Sequence, residues 1–222
     1  MSSRTTAPVE RITVDTPAGP ARITWCPSHD PRLVLTLGHG AGGGIEARDL
    51  SALAAALPLD GFTVALVEQP WRVAGKKVAP APRTLDTAWR ALWPTLVERA
   101  RGLPLVAGGR SAGARVACRT GAGLGAHAVL ALSFPLHPPG RPEKSRDEEL
   151  FSTDLPTLVV QGGADPFGKP AEYPEGDFEL LEIAYGDHGF AVPKRAPLTQ
   201  DDALRTLTEG VATWLAGLGN AR

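Results

Sequence analysis

Residues 108–115 read GGRSAGAR, and within them Gly109-Arg110-Ser111-Ala112-Gly113 matches the pattern G-x-S-x-G. In a nucleophile elbow with this pattern, a strand turns sharply into a helix and the serine hydroxyl is exposed at the top of the turn. Flanking glycines relieve the crowding that side chains would cause there. The match is short and the chain contains 25 glycines, so the surrounding sequence must decide whether Ser111 is a nucleophile.

Apolar runs separated by Gly, Pro and Asp predict strands that alternate with helices. The runs between residues 33 and 161 are nearly continuous, which is typical of parallel strands covered on both faces. The first two runs alternate instead and predict an antiparallel edge hairpin. The predicted strands are 9–15, 21–26, 33–37, 62–67, 103–107, 128–133, 157–161 and 178–184.

Helical periodicity fills the intervals between these strands. The predicted helices are 46–57, 84–101, 111–120 and 201–217. No internal repeat and no linker is apparent, so residues 1–222 are expected to form one doubly wound α/β domain. The least regular stretches, 70–83 and 135–156, follow strands, and loops at that end of a parallel sheet carry binding sites.

Composition excludes several function classes. Hydrophobic residues make up 43% and charged residues 21% of the chain, as in an ordinary soluble protein, and the net charge of −1 predicts no attraction to nucleic acid or anionic membranes. The two cysteines form neither a metal-ligand pattern nor a disulfide framework. The start, MSSRTTAPVERITV, lacks the apolar run of a signal peptide and no window reaches transmembrane length, so a cytoplasmic location is expected.

A serine hydroxyl needs a general base, and the base needs an orienting acid. Asp165 in VQGGADPFG and His188 in AYGDHGF each follow a predicted strand. Ser111, Asp165 and His188 therefore run in the chain order of the α/β-hydrolase fold. Among the other histidines, His137 in SFPLHPPG is the serious rival as base. Asp187 adjoins His188, but neighbouring residues rarely face each other, so Asp165 is preferred as the acid.

The glycine-rich turn LGHGAGGG, residues 37–44, can supply backbone donors for an oxyanion. We assign these donors to the N–H groups of Ala41 and of Ala112, the residue after the nucleophile. A dinucleotide-binding loop is the alternative, because Gly38, Gly40 and Gly43 match G-x-G-x-x-G and Glu68 ends the next strand. That alternative leaves the elbow, Asp165 and His188 unexplained.

Three further residues are candidates for contact with substrate. Arg110 adjoins the nucleophile and is expected either to form an ion pair with Glu68 or to bind an anionic substrate group. Trp71 lies in the loop after strand 62–67. It is expected either to line the mouth of the site or to belong to a loop that is exposed to solvent. His137 lies in the loop after strand 128–133.

The segments GGRSAGARVA, SFPLHPPGRPEK, VQGGADPFG and GDHGF resemble the small α/β hydrolases of the dienelactone-hydrolase-like group. The likeness is greatest to the bacterial relatives of the testis-expressed hydrolase-like family, and it covers residues 33–217. It implies a mostly parallel sheet of eight strands without a large cap domain, and a triad of Ser111, Asp165 and His188. Some members of the group are non-catalytic subunits.

These observations together predict a serine hydrolase that cleaves a small ester or thioester through an acyl-enzyme, without a cofactor or metal. Two alternatives stay open. One is a scaffold or binding protein that retains the fold, and the other is an acyltransferase or lyase that uses the same elbow.

Overall fold

A computed structural model describes residues 8–218 as a sheet with helices on both faces. The first seven residues, part of the stretch from which a cytoplasmic location is expected, lie outside the described residues. The sheet has eight strands in the order β1-β2-β4-β3-β5-β6-β7-β8. Strands β3 to β8 run parallel, whereas β1 pairs with β2 and β2 with β4 in antiparallel fashion. The predicted fold class and the antiparallel edge hairpin are confirmed.

Each predicted strand is present, with ends shifted by at most three residues. The strands are β1 (Glu10–Thr16), β2 (Gly19–Cys26), β3 (Leu33–Gly38), β4 (Phe62–Glu68), β5 (Leu105–Arg110), β6 (Ala128–Leu132), β7 (Thr157–Gly162) and β8 (Glu179–Ile183). Strands β3, β6 and β7 are buried along their whole length. Continuous apolar sequence therefore corresponds to strands covered on both faces.

The four predicted helices are present, and two short ones lie in the irregular stretches. The helices are α1 (Arg48–Ala56), α2 (Pro70–Val73), α3 (Pro82–Ala100), α4 (Ala112–Thr120), α5 (Asp147–Phe151) and α6 (Gln200–Leu218). Helices α2 and α5 occupy the loops after β4 and β6. Within residues 8–218 the chain between β6 and β7 adds only α5, and no cap domain is inserted.

Two apolar cores lie on opposite faces of the sheet. One contains Trp89 and Leu92 of α3 with Val116 of α4, and the other contains Leu53 of α1 with Val211 of α6. Because side chains alternate along a strand, each central strand contributes to both cores. Because strands β3 to β8 are parallel, their carboxyl ends meet at one edge of the sheet, and the predicted functional loops begin there.

No helix within residues 8–218 is long and apolar enough to cross a lipid bilayer.

Candidate active site

Ser111 lies between the last residue of β5 and the first residue of α4. Its φ of 53° and ψ of −110° are a strained conformation for a residue with a side chain. The glycines beside it permit the tight turn: a Cβ at Gly109 would lie 2.7 Å from the carbonyl oxygen of Gly38, and one at Gly113 would lie 2.5 Å from the same atom. The strand–turn–helix context predicted from GGRSAGAR is therefore present.

His188 forms hydrogen bonds on both sides of its ring. Nε2 lies 2.9 Å from Oγ of Ser111, and Nδ1 lies 2.8 Å from Oδ2 of Asp165. The carboxylate can only accept, so Nδ1 carries the proton and Nε2 is free to accept from the serine hydroxyl. Strands β5, β7 and β8 end at the same edge of the sheet, which brings these three distant residues together.

Asp165 is fully buried, and protein groups donate hydrogen bonds to both oxygens of its carboxylate. Besides His188, the Nε2 amide of Gln161 donates to Oδ2 over 2.8 Å, and the backbone N–H of Phe167 donates to Oδ1 over 2.8 Å. These donors, together with His188, hold the carboxylate in one orientation.

Sequence reasoning missed both Gln161 and Phe167. Gln161 also donates to the carbonyl of Gly168 over 2.7 Å, so it joins the strand end to the Asp165 loop. The ring of Phe167 packs on the His188 imidazole with centroids 4.2 Å apart. The available signal was a glutamine near the end of the buried strand TLVVQG, since a buried amide requires hydrogen-bond partners.

Ala41 and Ala112 line one small cavity next to the elbow. Ala112 is the first residue of α4, where backbone N–H groups have no partner within the helix. His39 orients the other peptide: its Nδ1 lies 2.9 Å from the carbonyl oxygen of Gly40. In a trans peptide N–H and C=O point in opposite directions, so the N–H of Ala41 points away from His39.

His39 is buried and was not predicted as a functional residue. Its Nε2 accepts a hydrogen bond from the N–H of Gln69 over 3.0 Å, so Nδ1 must carry the proton and donate to Gly40. Burial lowers the pKa of His39, which keeps the ring neutral and able to accept. The sequence signal was a histidine inside a glycine turn.

Arg110 does not pair with Glu68, and that expectation is wrong. Glu68 instead pairs with Arg22 over 2.7 Å, because the two residues are direct neighbours in the β2–β4 register. The guanidinium of Arg110 has other partners: Nε lies 3.4 Å from Oδ2 of Asp49, and Nη2 donates to the carbonyl of His188 over 2.9 Å.

The two residues weighed as rivals of the proposed relay have other partners. His137 Nε2 lies 3.0 Å from Oε2 of Glu172 and Nδ1 lies 2.9 Å from the carbonyl of Pro138, so the ring is not aimed at Ser111. Asp187 Oδ1 accepts hydrogen bonds from the N–H groups of its own loop, over 2.7 Å from Gly189 and 2.8 Å from Ala191.

Trp71, in contrast, lies beside the elbow. It is 6% exposed, its ring centroid is 5.5 Å from that of His39, and it lines the cavity shared by Ala41 and Ala112. Trp71 is therefore buried next to the elbow and does not lie in a solvated loop.

The glycine turn and Glu68, which suggested a dinucleotide-binding loop, have other contacts in the structure. A Cβ at Gly40 would lie 3.1 Å from Arg110 Nη1 and 3.4 Å from Ser111 Cβ, so this glycine serves the packing of the elbow. Glu68, the candidate ribose ligand, is paired with Arg22. Within residues 8–218 no three His, Cys, Asp or Glu side chains are grouped as metal ligands.

Comparison with known proteins agrees with this architecture. Residues 31–216 match the family described as alpha/beta hydrolase domain. XC6422 from Xanthomonas campestris, described as an a/b serine hydrolase without lid, superposes with a TM-score of 0.70 at 21% identity and covers 96% of this chain and 98% of its own. Dienelactone hydrolase from Anabaena variabilis gives 0.74 at 16% identity, covering 95% and 97%. Est1E from Butyrivibrio proteoclasticus gives 0.65 at 14% identity, covering 93% and 99%.

Proposed function

The chain belongs to the alpha/beta hydrolase domain family, and on that premise we propose that it is a serine hydrolase that cleaves small esters or thioesters. The observation that carries the proposal is the continuous hydrogen-bonded relay from Asp165 through His188 to Ser111. Each member has the partner that its role requires.

In the proposed reaction, His188 Nε2 takes the hydroxyl proton as Ser111 Oγ attacks the acyl carbon. The N–H groups of Ala41 and Ala112 stabilise the oxyanion that forms. The protonated imidazole then gives its proton to the departing alcohol or thiol, leaving an acyl-serine. Water attacks the acyl group by the same route, with His188 again acting as base and then acid, and the carboxylic acid leaves.

Asp165 supports this cycle by orienting His188. Its carboxylate fixes the tautomer of His188 and stabilises the imidazolium, while Gln161 and Phe167 hold the carboxylate in place. The absence of a cap insertion within the described residues leaves loops 70–83 and 135–156 as covers, which favours substrates with short acyl groups.

Reaction with a fluorophosphonate tests the proposal. The native protein is expected to be labelled once, and Ser111→Ala is expected to abolish labelling because Oγ is the nucleophile. Ser51→Ala, which changes an exposed serine of α1, serves as the matched control and should be labelled like the native protein.

Unlabelled samples of the same proteins would then be tested on nitrophenyl esters of increasing acyl length. A native protein that is folded by circular dichroism but stays unlabelled would contradict the hydrolase proposal and favour a scaffold role. Labelling together with acyl transfer to an added alcohol in preference to water would favour an acyltransferase.

A further inference from the structure

The side chain of Arg110 is held by two different parts of the chain. Nη2 donates to the carbonyl oxygen of His188 over 2.9 Å, and Nε lies 3.4 Å from Oδ2 of Asp49 in the first turn of α1. The side chain is only 15% exposed. A guanidinium is therefore fixed directly beside the candidate nucleophile, at a position that the hydrolase reaction itself does not explain.

Asp49 places a buried carboxyl group next to this guanidinium. Its side chain has no exposed surface. Burial raises the pKa of Asp49, and the charge of Arg110 opposes that rise. A buried carboxylate is costly without a cation nearby, so the pair holds each member in place.

Two glycines allow the guanidinium to lie directly against backbone. A Cβ at Gly40 would lie 3.1 Å from Nη1, and a Cβ at Gly189 would lie 3.2 Å from Nη2. Gly40 adjoins the proposed oxyanion donor Ala41, and Gly189 adjoins His188. The planar group thus contacts both loops that must be placed correctly around Ser111.

The Ser111–His188 contact joins segments that are 77 residues apart. Arg110 is covalently linked to Ser111, so its bond to the carbonyl of His188 connects the backbone of the nucleophile to the backbone of the base. The reacting atoms depend on such links, because a displacement of about 1 Å can cost on the order of 100-fold in rate.

We propose that Arg110, anchored by Asp49, is a positioning residue that holds the His188 loop and the Gly40 turn against the elbow. This inference rests on the proposed function. It assigns to Arg110 a role in the transition state for every substrate, rather than recognition of an anionic substrate group.

The test compares Arg110→Ala and Arg110→Lys with Arg115→Ala. Arg115 is the matched control, since it is a comparably buried arginine of α4 that pairs with Glu149. Activity would be measured on two nitrophenyl esters of equal length, one neutral and one carrying a carboxylate. We expect Arg110→Ala to lower kcat by about tenfold or more on both esters, with KM changed by less than about threefold.

Added guanidinium chloride at millimolar concentration is expected to restore part of the activity of Arg110→Ala and none in Arg115→Ala. Arg110→Lys should lie between the native protein and Arg110→Ala, because an ammonium keeps the charge but not the planar fork. If Arg110→Ala does not fold, Arg110→Lys and the same two esters carry the test.

Unchanged kcat in a folded Arg110→Ala variant would overturn the inference. A rise in KM confined to the carboxylated ester would also overturn it and assign Arg110 to substrate binding. If kcat falls equally in Arg110→Ala and Arg115→Ala and guanidinium restores neither, the loss reflects lower stability and the inference is overturned.

Hydrogen exchange separates this inference from the proposed function. The amides of Phe190 and Ala191 are bonded within the His188 loop. Positioning by Arg110 predicts faster exchange over residues 186–191 in Arg110→Ala but not in Arg115→Ala, whether or not the protein hydrolyses esters. Unchanged exchange would contradict positioning, whereas an unlabelled native serine would contradict only the hydrolase proposal.

Discussion

Among the individual residues of the site, the two aspartates near His188 differ in what their carboxylates already bind. Asp165 comes from the loop after β7 and accepts from Nδ1 of His188 over 2.8 Å. Asp187 is covalently next to His188, yet its Oδ1 accepts from two N–H groups of its own turn. Although Asp187 is next to His188 in sequence, its carboxylate stabilises the turn and does not bind the imidazole.

Replacing each aspartate by asparagine should separate the two roles. Asp165→Asn favours the wrong tautomer of His188. The same change in a trypsin-like serine protease costs about 10⁴ in kcat, so a loss of at least several hundred-fold is expected here. Asp187→Asn should lose about tenfold at most, or about 1.4 kcal/mol of barrier, because it alters only the loop.

Both rates would be measured on one activated ester, with circular dichroism to show that each variant is folded. A larger loss in Asp187→Asn would mean that the assignment of the orienting acid is wrong, while Ser111 and His188 would keep their proposed roles.

Among the secondary-structure elements, α2 and the loop after it form a wall beside the elbow. Two cavities lie along this wall, one of about 10 Å³ lined by Ala41 and Ala112 and one of about 80 Å³ lined by Lys76 and Val78. Both cavities share Trp71 as a lining residue. The first cavity holds about one small group, and we expect the indole to limit the length of acyl chain that fits beside the proposed oxyanion donors.

Trp71→Leu is expected to join the two cavities and to shift the preference towards longer acyl groups. The ratio of kcat/KM for hexanoyl over acetyl nitrophenyl ester should rise by about tenfold, which is the range that one or two methylene contacts supply. Trp93→Leu, at a similarly buried tryptophan of α3, is the control for loss of core packing.

The stability cost is expected to be similar in the two tryptophan variants, whereas the ratio should change only in Trp71→Leu. An unchanged ratio in a folded Trp71→Leu variant would exclude Trp71 as the limit on acyl length.

Across the molecule as a whole, the loops at the carboxyl edge of the sheet support one another. The N–H of His137 donates to the carbonyl of Phe167 over 3.0 Å, and Tyr173 Oη donates to the carbonyl of Phe134 over 2.6 Å. These bonds join the loop after β6 to the loop that carries Asp165. The PLHPPG segment therefore has a structural role behind the candidate site.

The His137–Glu172 pair makes the stability of the molecule depend on pH. The hydrogen bond to the carbonyl of Pro138 and the contact with Glu172 raise the pKa of His137. The hydrogen bond from the Lys169 backbone and the contact with His137 lower the pKa of Glu172. The raised pKa of His137 stabilises the fold at pH values below the pKa of unfolded-state histidine, and this stabilisation is lost as the pH rises through the folded-state pKa. The lowered pKa of Glu172 stabilises the fold above the pKa of unfolded-state glutamate, and this stabilisation is lost as the pH falls through the folded-state pKa.

Thermal unfolding of the native protein and of His137→Gln should therefore differ most between about pH 5 and pH 6.5, and the difference should shrink towards pH 8.5. The expected difference in Tm is on the order of 2 °C or less, because Glu172 is partly exposed and such pairs contribute under about 1 kcal/mol. Buried His39 is present in both proteins, so its titration cancels. A difference that grows with pH would contradict the pairing.

The order and type of the elements could be predicted from local sequence. Apolar runs of β3, β6 and β7, the amphipathic pattern of α3 and the glycines around Ser111 are local features, and each acts through steric or hydrophobic preferences of nearby residues. The chain order of Ser111, Asp165 and His188 predicted their meeting, because the carboxyl ends of parallel strands share one edge.

The choice of which side chains face one another at that edge came from tertiary packing instead. The register of β2 and β4 places Arg22 opposite Glu68, and the two form an ion pair. Arg110 contacts Asp49 and the carbonyl of His188 instead. Gln161 and Phe167 acquire their roles in the same way. Such partners depend on strand order, register and the direction of each side chain across the sheet, and these are set by packing between segments far apart in the chain.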